Sequence, residues 1–302
     1  MSQAPSLAGR RVLITGAARG IGAALARRLH ERGARVALAG LEPELLAEVA
    51  ASCGDATWTT CDVTDEAQVE AAVAAAVDAL GGLDVVVANA GVAAQLPLIG
   101  GDPGVMRRTL DVNVMGAYLT VRAAGPHVSH PGGYVVVASS LGAAVNPPLL
   151  GAYGASKAAV EVIGNTLRAE MKPSGAKVGV AYFAELDTDM TSRGFGTAAA
   201  AQLTGGGTAT KVTALEVGID ALERGIARRA RRIVAPWWVG PILPVRMTAQ
   251  RVVDRYLARN VAGALATARN EQVELTTIQP DAVPATPAAP AAPAVPVDGA
   301  EP

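Results

Sequence analysis

The stretch RVLITGAARGIG, residues 11–22, decides the fold. Its first five residues form an apolar, β-branched run of strand length that passes straight into TGAARGIG, Thr15 to Gly22. Glycines at 16, 20 and 22 permit a tight turn, close approach of a pyrophosphate to the backbone, and close packing of the next helix on the strand. A helix beginning near Gly20 aims its free N–H groups and its positive end at the same place. Glycine triplets are common in turns and weak alone. Between the first strand and first helix of an alternating chain, this one reads as a phosphate cradle.

The alternation continues outward from that turn. Further short runs follow at RVALA (35–39), ATWTTC (56–61), LDVVVA (83–88), GYVVVAS (133–139), KVGVAYF (177–183) and RIVAP (232–236). Between them, segments 20–32, 65–80, 104–124, 152–172 and 213–230 carry apolar residues at helical spacing. Strand–helix–strand order without hairpin signals predicts right-handed crossovers and an α/β fold of the Rossmann type. The expectation is one doubly wound, mostly parallel, seven-stranded sheet with helices on both faces, over residues 1–240. Half of the residues are hydrophobic but only 3% are aromatic, so Ala, Val, Leu and Ile must build the core, as in parallel sheets covered on both faces. Residues 245–268 read as one further helix carrying Arg246, Arg251, Arg255 and Arg259, within a helical extension over 241–270. Residues 271–302, ending in IQPDAVPATPAAPAAPAVPVDGAEP, have no hydrophobic periodicity and read as a disordered Pro/Ala-rich tail.

The totals exclude several classes of function. A net charge of −1 gives no general attraction to nucleic acid. Cys53 and Cys61 lie eight apart across an expected helix end and strand, which argues against a disulfide. With only three histidines besides, no metal site is expected. The start MSQAPSLAGRR lacks a charged, then apolar, secretory pattern, and no window holds eighteen uninterrupted apolar residues. A soluble cytoplasmic protein is the expectation. The stretch RRARRIVAPWWVGPILPV (228–245) invites an interfacial membrane reading, with arginines beside Trp237 and Trp238. The preferred reading is simpler: residues 232–236 are the seventh strand, the arginines end the preceding helix, and the tryptophans pack at an oligomer contact or pocket rim.

Chemistry is most legible at GAYGASKAAV (151–160). The chain has four lysines against twenty-two arginines, yet Lys157 stands four residues after Tyr153, on the same helix face. A free phenol titrates near pH 10 and is a poor base at neutrality. An ammonium about 5 Å away, at an effective dielectric near 20, favours phenolate by about 3 kcal/mol, roughly two pKa units. Ser140 ends the fifth strand at the carboxyl edge, where such sheets bind ligands, with Ser139 as an adjacent rival. Asn113, in DVNV, lies in the preceding helix.

These motifs, in this order over roughly residues 8–240, resemble the short-chain dehydrogenase/reductase family. The resemblance implies NAD(P)(H) as cofactor and a small carbonyl or alcohol as substrate. It implies that Ser140 hydrogen-bonds the substrate oxygen, Tyr153 transfers the proton, Lys157 holds the cofactor ribose, and Asn113 keeps a water for a proton relay. For the cofactor it implies Thr15, Gly16, Arg19, Gly20, Ile21 and Gly22 in the turn. Asp62 and Val63 of CDVTD would contact adenine, and Asn89, Ala90 and Gly91 of ANAG brace the sheet. Leu186 and Thr188 would meet the carboxamide. A homodimer or homotetramer is implied as well.

Two departures from the family pattern matter. Phe183 and Ala184 stand where Pro-Gly is usual after the sixth strand, followed by Glu185. At the end of the second strand Gly40 takes the usual acidic place and Leu41 that of a phosphate-binding arginine. Arg19 could meet a 2′-phosphate or be a solvated surface arginine, and Glu42 could take the ribose hydroxyls; the reading leans to NADP(H). Residues 190–212 are expected to close the pocket as a lid. The expected activity is interconversion of an alcohol with a ketone or aldehyde on a lipophilic substrate. A catalytically idle dinucleotide sensor or a membrane-surface lipid-processing reductase are the alternatives.

Overall fold

One parallel sheet carries the molecule, in the order β3-β2-β1-β4-β5-β6-β7. Its strands are β1 (Arg11–Thr15), β2 (Arg35–Gly40), β3 (Thr57–Thr60), β4 (Val85–Ala88), β5 (Tyr134–Ala138), β6 (Lys177–Phe183) and β7 (Arg232–Ala235). The structure is a computed structural model and describes residues 6–191, 197–206, 210–271 and 275. Strand direction of winding reverses between β1 and β4, which leaves a crevice at their carboxyl ends.

The pleat explains why the inner runs become strands buried on both faces, while the edge strand β3 is only half-buried. Val12 and Ile14 point to one side of the sheet with Val85, Val87 and Val136. Leu13 points to the other with Val86, Val135 and Val137. Each face therefore needs its own helical cover, and period-two alternation of apolar with apolar supplies both cores. Helices α1 (Gly20–Glu31), α2 (Pro43–Ala51) and, later in the chain, α8 (Leu215–Arg228) cover one face. Helices α3 (Glu66–Leu80), α5 (Gly116–Val128) and α6 (Gly151–Glu170) cover the other. The sheet's entry edge is fastened by Arg11, whose Nε and Nη2 donate to both oxygens of Asp84 at 3.0 and 2.9 Å.

Two expected helices are broken. Segment 104–124 is α4 (Pro103–Leu110) and α5, joined by a π-helical turn over Asp111–Met115. Segment 245–268 is not one helix. After a short α9 (Val239–Ile242), it forms two helices, α10 (Arg246–Leu257) and α11 (Val261–Ala268). The break follows from a long-range contact: Asn260 donates to the carbonyl of Leu203 at 3.0 Å, at the end of α7 (Ala198–Thr204). Turning there lets α11 fold back so that Leu257, Ala264 and Ala268 bury against Ala199, Leu203 and Leu149. This is a third small core, apart from the two that flank the sheet. Of the expected lid, residues 192–196 and 207–209 lie outside the described residues, as does the tail beyond Leu275.

Candidate active site

The crevice opens into a cavity of about 410 Å³ that runs along the carboxyl ends of the strands. At one end is the glycine turn. Gly16 sits at φ +66°, and a Cβ there would lie 2.7 Å from Ala90 Cα. A Cβ on Gly22 would lie 2.2 Å from the carbonyl oxygen of Gly16, so α1 can approach the turn only without a side chain. Asn89 fastens the turn to β4: its Nδ2 donates to the carbonyls of Thr15 and Gly16 at 3.1 and 3.2 Å. The first turn of α1, Gly20 and Ile21, lines the cavity. Beside it Asp62 accepts from Thr64 N and Oγ1 at 2.9 and 2.8 Å and from Arg108 at 3.1 Å, and so is held still in the wall.

Arg19 is not a solvated surface arginine. Its Nε donates to Glu42 Oε2 at 3.1 Å and its Nη2 to Glu42 Oε1, while Nη1 reaches Asp189 at 3.3 Å. One guanidinium thus joins the glycine turn, the end of β2 and the segment after β6.

At the middle of the cavity α6 presents its first two turns. Tyr153 and Lys157 are both buried, with the lysine Nζ 5.7 Å from the phenol ring centroid. Lys157 Nζ donates to the Ala138 carbonyl at the end of β5, at 3.0 Å. The two serines divide. Ser139 Oγ donates to the Lys157 carbonyl at 2.8 Å and anchors the helix backbone. Ser140 Oγ donates to the Phe183 carbonyl at 3.2 Å, accepts from Gly142 N, and is the hydrogen-bond partner of the Tyr153 side chain.

The electrostatics differ from the expected acidified phenol. Burial pushes the Tyr153 phenol above its ordinary value, with the Ser140 hydrogen bond pulling the other way. Burial also pulls Lys157 down to about 8. Both groups are buried in one cavity wall, so desolvation outweighs the attraction that spacing alone implied. A buried ammonium destabilises the folded state while it stays charged, so Lys157→Met carries a pH signature. Below pH 8 both folded and unfolded chains hold the proton and the cost is full. From pH 8 to the ordinary lysine range only the unfolded chain holds it, so the cost fades as pH rises. The stability advantage of Lys157→Met over the parent is therefore expected to shrink by about 3 kcal/mol from pH 7 to pH 10 in urea unfolding. A pH-independent difference would refute the burial effect.

Three expected site residues stand behind the cavity wall rather than in it. Thr15 and Gly22 brace the turn. Asn113, in the π-helical turn, accepts from Val92 N at 2.7 Å and donates to the Val92 carbonyl and to Ser156 Oγ, each at 2.9 Å. Its side chain clamps β4's exit to α6, with both Nδ2 hydrogens and one acceptor position of Oδ1 engaged. Gly91 fits against it, where a Cβ would sit 3.2 Å from both Asn113 Oδ1 and Lys157 Nζ. Arg19, Asp62, Val63, Ala90, Leu186 and Thr188 line the cavity as expected.

The Phe183-Ala184 departure leaves the strand end regular. Phe183 stays in β6, paired with Ala235, and Ala184 N donates to the Ala235 carbonyl at 2.9 Å. Ala184 does not adopt positive φ, so glycine is not required there. Glu185 instead gathers the returning chain, accepting from Thr210 N and Oγ1 at 2.6 and 2.8 Å.

Of the outer wall, sequence reasoning placed the tryptophans at a pocket rim as one of two alternatives, and Trp238 lines it, but it missed the contribution of α10. Trp238, Ile242, Ala249, Val253 and Tyr256, from α9, α10 and the residue before α9, line the cavity together with Leu150 and Tyr153. The spacing of Ala249, Val253 and Leu257 was a helical apolar stripe, but nothing local showed which surface it would cover.

The family model for short chain dehydrogenases matches residues 10–199. The chain belongs to that family. A short chain dehydrogenase/reductase from Burkholderia phymatum, solved in complex with NAD, superposes with a TM-score of 0.72. It is 25% identical, with 84% of this chain and 97% of that one covered. An oxidoreductase of Mycobacterium tuberculosis is 30% identical over 79% of this chain and 96% of its own length. The cis-4-hydroxycyclohexanecarboxylate dehydrogenase of Sinomonas cyclohexanicum is 37% identical over 62% of this chain and 77% of its own. This short-chain dehydrogenase therefore belongs among oxidoreductases that use nicotinamide dinucleotides. Among its described residues no group of His, Cys, Asp or Glu side chains is arranged to hold a metal ion.

Proposed function

We propose that the protein interconverts a lipophilic secondary alcohol with its ketone, or a primary alcohol with its aldehyde, and that it uses NAD(H). The observation that carries the reading is the convergence of the Ser140 hydroxyl, the Tyr153 phenol and the Lys157 ammonium within one largely apolar cavity. The glycine cradle fits a dinucleotide, since side chains at Gly16 and Gly22 would collide with the backbone of Ala90 and of Gly16 and so force the turn away from β4 and from the first turn of α1. Gly20 and Ile21 would face the phosphates, Asp62 and Val63 the adenine, and Leu186 and Thr188 the carboxamide. Bound there, the nicotinamide supplies or accepts the hydride.

The chain's own residues handle the proton. Ser140 orients the substrate oxygen by hydrogen bonding, and Tyr153 gives or takes the proton at that oxygen. Lys157 keeps a positive charge beside the phenol and would hold the ribose. Asn113 is a positioning residue, since it fixes Val92 and, through Ser156, the Tyr153 carbonyl. Residues 241–270 act as an extension of the 1–240 catalytic domain that shapes the substrate side.

The pairing of Arg19 turns the cofactor reading from NADP(H) to NAD(H). Its guanidinium is already engaged by Glu42 and Asp189, and a 2′-phosphate would have to displace a carboxylate. That Burkholderia relative's bound NAD agrees. Glu42→Gln is expected to shift the NAD/NADP ratio of kcat/KM about tenfold toward NADP, read from initial rates with each dinucleotide. A parent enzyme that prefers NADP would overturn the assignment. The activity itself is tested by a panel of alicyclic, long-chain and small charged alcohols and ketones. Turnover confined to the small charged members, or none at all, would sink the reading.

A further inference from the structure

From the outer face of the substrate wall we infer that α9 and α10 dock on an anionic phospholipid surface. Five large apolar side chains stand exposed within twenty residues: Trp237 at 79%, Val245 at 54%, Met247 at 79%, Val252 at 64% and Tyr256 at 74%. No comparable run of exposed apolar residues occurs elsewhere among the described residues. Trp238 belongs to the cavity wall, as a rim residue should, but Trp237 points away from it into solvent.

Charge chooses the partner. Arg251, Arg255 and Arg259 recur at four-residue spacing and so form a stripe along the solvent side of α10 and the turn beyond it. All three are exposed, and among the described residues none has a carboxylate partner. Arg246 is different: it is consumed by Glu161, at 3.1 and 2.8 Å, which ties the helix to α6 and fixes which face looks outward. One acid, Asp254, shares the exposed face and is hydrogen-bonded to Gln250. An apolar patch crossed by arginines in a chain of net charge −1 matches an interface of headgroup phosphate over acyl chain. A second copy fits less well, because a two-fold contact would set the arginine stripes against each other. Among the described residues no helix is long and apolar enough to cross a membrane, so the contact is peripheral.

The same helix faces both ways. Ala249, Val253 and Tyr256 line the cavity, so a surface-bound molecule presents the cavity rim to the lipid. A lipophilic substrate would then enter from the bilayer. This delivery step rests on the proposed function; the docking does not.

The test is sedimentation of the full chain with sucrose-loaded vesicles of phosphatidylcholine alone, or with about three-tenths phosphatidylglycerol. Binding to the anionic vesicles is expected, with a blue shift of tryptophan emission that Trp237→Phe removes. The shared replacement Arg251→Gln, Arg255→Gln and Arg259→Gln should lower partitioning about a hundredfold, at roughly tenfold or less per arginine. Raising the salt should release the parent protein, which keeps the test valid without any variant. Equal binding to neutral vesicles, no binding, or a change of oligomeric state in the triple variant in place of lost vesicle binding would each overturn the inference. Turnover of a water-soluble substrate should be unchanged in the triple variant. Loss of vesicle binding with turnover intact, and loss of turnover with binding intact, thus separate the docking from the chemistry.

Discussion

Tyr153→Phe should cut turnover by a thousandfold or more while leaving dinucleotide affinity within about threefold. The change removes one oxygen. Its ring remains buried against Gly142 and beneath the Lys157 ammonium, so the fold and the cradle are not disturbed. What goes is the group proposed to move the proton, together with the partner of the Ser140 hydroxyl. Ser140 keeps its bonds to Phe183 and Gly142 and gives no substitute donor at the same point. Fluorescence titration with NADH and a stopped assay on the best alcohol make the measurement. Turnover within tenfold of the parent would remove Tyr153 from the chemistry. Loss of NADH binding would show instead that the variant had damaged the cleft.

Gly22→Val should abolish dinucleotide binding, by more than a hundredfold, and lower stability by several kcal/mol. A branched side chain at that position must occupy space already held by the Gly16 carbonyl, 2.2 Å from its Cβ, and by Asn89 Nδ2 at 2.9 Å. Neither can retreat. The carbonyl is backbone in a turn, and Asn89 is engaged with Thr15 and Gly16 together. Helix α1 must therefore lift off the turn, which pulls its first N–H groups from the cavity. Calorimetry with NAD(H) and thermal unfolding give the two readouts; retained affinity would mean the phosphates are held elsewhere. Gly20→Ala makes a useful contrast, since its Cβ meets nothing closer than 3.8 Å and only the positive φ of +53° is strained.

The sheet was readable because strands buried on both faces, such as β4, leave an unbroken apolar run, and the half-exposed edge strand β3 keeps a β-prone Thr-Trp-Thr-Thr run; all seven runs became strands. The glycine turn was readable because its chemistry is local. Failures lie where a distant partner decides the outcome. The helix expected over 245–268 breaks because Asn260 meets Leu203, 57 positions away. Arg19 pairs with Glu42 and Asp189, 23 and 170 positions away, so its role could not be weighed from its neighbours. Asn113 was identified by type and place, while its side-chain bonds to Val92 and Ser156, set by the π-helical turn, were not legible. The Tyr153–Lys157 spacing put both groups in one cavity, but their burial, which raises the phenol and lowers the ammonium, was not legible, because a separation along a helix carries no information about burial.

The small third core has a consequence for how this protein could change its substrate. Leu203 of α7 and Leu257, Ala264 and Ala268 beyond it bury one another with few ties to the strands. The proposed proton transfer and nucleotide grip lie at the carboxyl edge of the sheet and on α6, whereas the shape of the far wall lies with this clip-on piece. Exchanging the piece between relatives, with the Glu161–Arg246 fastening kept as the joint, would retool selectivity without disturbing the reaction.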